Sequence, residues 1–282
     1  MKQLKTPLRY PGGKSRAIPK LCEWLPSRKI TEYREPFLGG GSMALEMTKR
    51  LPEDVPIWVN DLYKPLINFW KALQTDGEPL TQMILDRKKQ HPDQDSARKL
   101  FGEAKDILND ATQTSVDRAA AFYIVNKCSF SGLTESSSFS KSASDSNFSI
   151  RGIERLPEYS KLIQRWKITS LSYEELCTDD ELTFIYVDPP YDIKDALYGY
   201  KGDKHRGFDH KTFADIMDKQ LCNVMISYND HPDIVMRFFE WCQYDFDHTY
   251  TMRSTGTYMS DQTKRRELVL TNYGKFGGSC TP

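Results

Sequence analysis

The tetrapeptide Asp188-Pro189-Pro190-Tyr191 directly follows the apolar run Phe184-Ile185-Tyr186-Val187. No other junction constrains the chain as much. A short β-branched and aromatic run predicts a buried strand, and the acid and two prolines stop it. Successive prolines fix φ and carry no N–H, so the backbone past Asp188 is stiff and its carbonyls remain free to accept. In open α/β sheets, ligands bind at the carboxyl ends of strands. A carboxylate, a carbonyl and an aromatic ring held there suit a planar, weakly nucleophilic aromatic amine. The ring can stack, and the oxygens can accept the amino protons and stabilise charge growing on nitrogen. The plainer alternative is a rigid turn ending in a surface tyrosine.

Similar apolar runs are Ile57-Trp58-Val59 before Asn60-Asp61, Val224-Met225-Ile226 before Ser227-Tyr228, and Leu268-Val269-Leu270 after Lys264-Arg265-Arg266. Leu66, Ile67, Trp70 and Leu73 recur at helical spacing, which predicts a helix after Asp61. The pattern is that of an α/β fold, βα units around a mainly parallel sheet. Residues 76–125 are charged and helix-prone, while 129–149 are nearly half serine, the composition of a flexible linker. Phe130, Phe139 and Phe148 interrupt that tract without a linker's need for them. An inserted, mainly helical domain is expected at 64–165, flanked by 1–63 and 166–282.

Lys+Arg and Asp+Glu number 39 each, which excludes a uniformly basic nucleic-acid coat protein but leaves local basic faces open. No run approaches the ~20 apolar residues of a membrane helix, and the amino terminus lacks a secretory apolar stretch. The six cysteines form no C-x-x-C pair and the five histidines no H-E-x-x-H, so no metal is expected and the thiols read as reduced. A soluble, cytoplasmic protein is expected.

Two further motifs carry chemistry. Glu35-Pro36-Phe37-Leu38-Gly39-Gly40-Gly41-Ser42 is a glycine-rich turn whose backbone can approach a ligand closely. Asp61 ends the next expected strand 22 residues after Gly39, the offset of a carboxylate that holds ribose hydroxyls. The loop is neither a P-loop nor G-x-G-x-x-G, since Ala44 stands at the last glycine, although a nicotinamide cofactor stays open. Near the amino terminus, Leu8-Arg9-Tyr10-Pro11-Gly12-Gly13-Lys14-Ser15 offers an aromatic wall for a cation at Tyr10 and a donor to a carboxylate at Lys14. A ligand bearing a sulfonium, a ribose and a carboxylate would use all three motifs. A plain Pro-Gly-Gly turn and a plain strand–helix connection are the competing readings.

The order Y-P-G-G-K, E-P-F-x-G-G-G-S, N-D, D-P-P-Y, S-Y-N resembles the Dam-like (D12 class, α group) DNA adenine-N6 methyltransferases from about Leu4 to Tyr273. The resemblance implies a Rossmann-like sheet, S-adenosylmethionine as cofactor, double-stranded DNA as partner and a target-recognition insert. It implies cofactor contacts at Tyr10, Lys14, Phe37, Gly39, Gly41, Asp61 and Asp188, with Asp188, Pro189 and Tyr191 catalytic. Members often carry Trp where this chain has Tyr10. Asn126-Lys127-Cys128-Ser129-Phe130-Ser131-Gly132-Leu133 matches the family's N-[KR]-x-x-[FY]-[NS]-G-L, whereas its F-N-x-P-x-G stretch survives only as Asn147-Phe148-Ser149-Ile150-Arg151-Gly152. No recognition sequence is therefore carried over.

On this reading the adenine is rotated out of the duplex, stacks on Tyr191, and presents its amine to Asp188 and the Pro189 carbonyl. Transfer then depends on holding methyl and nitrogen at attack distance, with the cofactor supplying the reactive group. DNA contacts are expected from Arg9, Asn126, Lys127, Phe130, Ser131, Lys264 and Arg265, and from a basic, aromatic loop between Lys194 and Lys211. A separate restriction endonuclease is a possible partner. Cytosine-N4 or protein-glutamine methylation, a dehydrogenase, and an inactive DNA-binding relative are the alternatives.

Overall fold

The structure is a computed structural model that describes residues 4–132, 137–191, 208–248 and 265–274. Seven strands lie among them: β1 (Glu32–Glu35), β2 (Ile57–Asn60), β3 (Trp166–Thr169), β4 (Thr183–Val187), β5 (Asn223–Asn229), β6 (Cys242–His248) and β7 (Arg265–Thr271). They form one sheet in the order β3-β2-β1-β4-β5-β7-β6. The first five run parallel, and β7 is antiparallel to both β5 and β6. All four apolar runs read from the sequence became strands. β4 sits centrally and is buried along its whole length, as a strand covered on both faces should be.

The helices are α1 (Ile18–Leu21), α2 (Ser42–Arg50), α3 (Lys64–Thr75), α4 (Gly77–Gln90), α5 (Gln94–Asn109), α6 (Ser115–Cys128), α7 (Lys141–Ser146), α8 (Ile150–Ile153), α9 (Leu156–Leu162), α10 (His210–Met217) and α11 (Pro232–Arg237). Alternate side chains of the central strands serve two cores. Phe184, Tyr186, Met225 and Val269 join α2, α3 and α6 on one side. Ile185, Val187, Val224, Ile226, Leu268 and Leu270 join Phe213 and Met217 of α10 and Ile234 of α11 on the other.

Helices α3 to α9 together make the crossover between the adjacent parallel strands β2 and β3. Their centre is α6, whose run Ala119-Ala120-Ala121-Phe122-Tyr123-Ile124-Val125-Asn126 is buried all round, as a helix apolar on every face must be. Leu80, Leu100, Phe101 and Phe122 belong to the same hydrophobic cluster as Tyr33 and Val59 of the sheet. The segment 64–165 is thus continuous in packing with the sheet.

The serine tract is not a linker over its described part. Ser140 caps α7 by accepting from Ala143 N, Phe139 meets Phe101 edge-on at 5.7 Å, and Phe148 is 0% exposed. Burying one such ring contributes about 1.5–3 kcal/mol, enough to fix a polar segment around it. Among the described residues no helix is long and apolar enough to cross a membrane, and no His/Cys/Asp/Glu group could hold a metal. Cys22, Cys128, Cys177 and Cys222 are free, whereas Cys242 is disulfide-bonded, a departure from the expected reduced set.

Candidate active site

The parallel strands β1, β2, β4 and β5 deliver Glu35, Asp61, Asp188 and Ser227 to their carboxyl ends, beside the point where strand order reverses between β1 and β4. Asp188 follows β4 directly and is anchored through one oxygen. Its Oδ1 accepts from Lys14 Nζ at 2.9 Å and from Ser227 Oγ at 3.0 Å. Neither its Oδ2 nor the carbonyl of buried Pro189 takes a hydrogen bond among the described residues.

Lys14 opens a 3₁₀ turn (Lys14–Arg16) after the Pro-Gly-Gly bend and is 3% exposed. Its ammonium donates to the Gly12 carbonyl at 3.1 Å, to Asp188, and to the Tyr191 hydroxyl. Burial works against this charge, but Asp188 and Glu267 outweigh it and hold Lys14 above the usual lysine range. The expected donor to a ligand carboxylate is therefore occupied by the corner itself.

Tyr191 donates its hydroxyl to Glu267, at 3.0 Å to Oε2 and 3.2 Å to Oε1, and its ring stacks on Tyr228 with centroids 5.8 Å apart. Burial and the neighbouring acids push the phenol far above its usual range, so it stays a donor. Glu267 lies on β7, is 0% exposed and is 3.9 Å from Lys14 Nζ. Burial raises its carboxyl to about 7, with Lys14 pulling down and Asp188 pushing up. Sequence reasoning missed this residue. The available signal was an acid placed between a basic triplet and the apolar run Leu268–Leu270.

The glycine loop packs closely by the same rim. Gly39 and Gly41 have φ of 49° and 68°, which an L side chain adopts only with strain. A Cβ on Gly39 would lie 3.0 Å from the Tyr10 ring, and one on Gly41 2.9 Å from Trp70. Asp61 Oδ2 accepts from Gly39 N at 2.9 Å, tying the end of β2 to the loop. Glu35 beneath is 2% exposed and accepts from Tyr33 at 2.5 Å; burial drives its carboxyl well above the usual range. Phe37 stacks on Tyr173 at 5.5 Å, with Phe208 and Phe213 around it.

The expected DNA contacts divide. Asn126 is 1% exposed, and its amide staples chain to chain. Oδ1 accepts from Arg9 N at 2.9 Å, and Nδ2 donates to the carbonyls of Arg9 at 2.6 Å and Gly132 at 2.9 Å. It positions the strip rather than facing solvent, because three backbone groups would otherwise be buried unpaired. Asn126→Ala is expected to lower stability by about 3 kcal/mol, read as a fall in denaturant midpoint at unchanged m. Arg9 donates to the Ser129 carbonyl at 2.6 Å, and Lys127 sits 5.3 Å from the Tyr123 ring. Burial, then the neighbouring Arg9 charge, lowers Lys127 to about 8. No carboxylate pairs with either cation among the described residues. Phe130 is 45% exposed, and Ser131 lies in a 3₁₀ turn, Phe130–Gly132. Arg265 begins β7. Lys264 and most of the loop from Lys194 to Lys211 lie outside the described residues.

With this geometry in hand, comparison with known proteins is specific. A family model described as D12 class N6 adenine-specific DNA methyltransferase matches residues 10–255. A type II methyltransferase of Lactococcus lactis subsp. cremoris is 24% identical over 94% of this chain and 94% of its own. A type II methyltransferase of Methanocaldococcus jannaschii is 25% identical over 84% of this chain and 89% of its own. A DNA N-6-adenine-methyltransferase of Escherichia phage P1 is 29% identical over 45% of this chain and 15% of its own.

Proposed function

We propose, for this chain, which belongs to the D12 class N6 adenine-specific DNA methyltransferases, that Asp188, Pro189 and Tyr191 receive the target adenine beside a donor held by the glycine loop. The family is adenine-specific, which sets aside the cytosine-N4, protein-glutamine and dehydrogenase readings. Methyltransferases of this kind use S-adenosylmethionine, which when bound supplies an electrophilic methyl group on a sulfonium. The residues present suit it. The rim carries carboxylates and aromatic rings for a cation, and glycines so close to Tyr10 that any side chain would fill the space. Tyr10, Phe37, Gly39, Gly41, Asp61 and Asp188 would hold the donor, with Lys14 acting through Asp188.

One observation carries the catalytic assignment. Asp188 is fixed through Oδ1 while, among the described residues, its Oδ2 and the Pro189 carbonyl remain two unused acceptors, matching the two protons of an adenine amine. Accepting both orients the amine and stabilises the positive charge that develops on it. The base must leave the duplex to reach them and stacks on Tyr191. We assign the helical crossover 64–165 to target recognition, with Arg9 and Lys127 meeting phosphates and Phe130 at the surface. A separate restriction endonuclease as companion belongs to this proposal; two of the relatives are named type II methyltransferases.

Initial-rate kinetics with labelled donor and duplex DNA test the loop. Gly39→Ala is expected to raise KM for the donor about ten-fold, the cost of backbone strain plus the Tyr10 contact, with DNA affinity unchanged. An unchanged donor KM removes the loop from the site.

A further inference from the structure

Glu267 belongs to none of the motifs that mark the site, yet it closes the site's hydrogen-bonded circuit. It is wholly buried on β7, where its paired neighbours, Asn229 on β5 and Phe246 on β6, bring no charge. Among the described residues, the groups that face it are Lys14 at 3.9 Å, the Tyr191 hydroxyl at 3.0 and 3.2 Å, and Asp188, close enough to disfavour its ionisation. A buried carboxylate next to a second one is costly, and a cation shared between them is what makes the arrangement tolerable.

We propose that Glu267 is a positioning residue: holding the Tyr191 hydroxyl with both oxygens and sharing Lys14 with Asp188, it sets ring and acid together, and its ionisation makes the corner receptive to a cationic donor. The inference rests on the assignment of Asp188 and Tyr191 made above. Ionised, Glu267 accepts from Tyr191 and leaves the Lys14–Asp188–Glu267 cluster with one net negative charge. Protonated, it gives up one acceptor and leaves that cluster neutral, so a sulfonium gains less by entering. Burial sets the changeover at about 7, and the Tyr191 hydrogen bond and Lys14 both pull it down. Donor affinity therefore rises as pH rises through that value. By linkage, bound donor lowers the Glu267 pKa in turn.

Stability carries the opposite sign. The folded-state pKa lies above the unfolded one, so the folded chain holds the extra proton between them. This contribution is complete below the unfolded value and is lost as pH rises through about 7.

The test measures donor binding by calorimetry and ligand-free thermal unfolding across pH for the wild type, Glu267→Gln and Tyr191→Phe. Wild-type affinity for S-adenosylmethionine is expected to rise about ten-fold between pH 6 and 8, the change one coupled ionisation delivers. Glu267→Gln should flatten that dependence, lower kcat about ten-fold through the lost charge-assisted bond, and abolish the pH-dependent part of unfolding attributed to this group. Tyr191→Phe removes a donor to Glu267 and should move the binding midpoint to higher pH, which decides the matter if Glu267→Gln does not fold. A wild-type pH profile in both variants overturns the proposal. Asp188→Ala separates the two readings: turnover in that variant defeats the site assignment, whereas an inert Asp188→Ala alongside an unaffected Glu267→Gln defeats the role of Glu267 alone.

Discussion

Asp188→Ala is expected to cut methyl transfer to DNA about a thousand-fold while leaving a folded protein. The substitution removes the oxygen proposed to accept an amine proton where positive charge develops, and a single lost stabiliser of that kind costs about 10²–10³ in kcat. It also deletes one of the carboxylates proposed to hold the donor, so donor binding should weaken too. The fold should survive because Lys14 keeps its bonds to Gly12 and Tyr191 and its ion pair with Glu267. Asp188 itself is 24% exposed, so no sealed cavity is left. Labelled-methyl transfer to duplex DNA, with circular dichroism to check folding, measures both halves. Turnover within ten-fold of wild type would refute the role of Asp188.

The legible parts of this fold were those where local sequence and burial agree. β4 is buried throughout and apolar from Phe184 to Val187 because helices cover both its faces, and its abrupt stop at Asp188-Pro189 marks the site. β2, β5 and β7 were readable for the same reason. β1 was not: Glu-Tyr-Arg-Glu carries three charged residues, and only the sheet shows that Tyr33 and Glu35 turn inward. β6, Cys-Gln-Tyr-Asp-Phe-Asp-His, lies at the sheet edge, where alternation with acids disguises a strand. β3 is likewise a short edge strand.

In the site, residue types were legible and their partners were not. The motifs named Lys14 and Asp188 but could not place them 2.9 Å apart, because they stand 174 positions apart and the chain between them must fold first. Lys14 was read as a donor to a ligand, and the fold sets its ammonium between two acids. Asn126 was read as a DNA contact, and its amide bonds backbone groups of Arg9 and Gly132. Glu267 escaped notice because a lone acid in a strand gains meaning only from what lies across the sheet.

Lys14→Met carries the largest expected effect on stability, and its pH dependence identifies the cause. Methionine keeps much of the lysine stem's volume, so the loss is of charge rather than of packing. Asp188 and Glu267 are then left facing each other without their shared cation. Removing one partner from a buried ion pair costs about 3–5 kcal/mol, which for a chain of this size lowers Tm by roughly 10 °C. The cost should not be uniform in pH. Lys14 favours ionised Glu267, so without it the Glu267 pKa rises further above about 7. Well below that value Glu267 is protonated in both proteins and the lost attraction is Asp188's alone; above it the loss is twofold. The gap in Tm between wild type and Lys14→Met is therefore expected to widen as pH rises through 7, and methyl transfer should fail at every pH. A gap of constant size would mean that Lys14 contributes packing, and would remove the electrostatic link between Glu267 and Asp188.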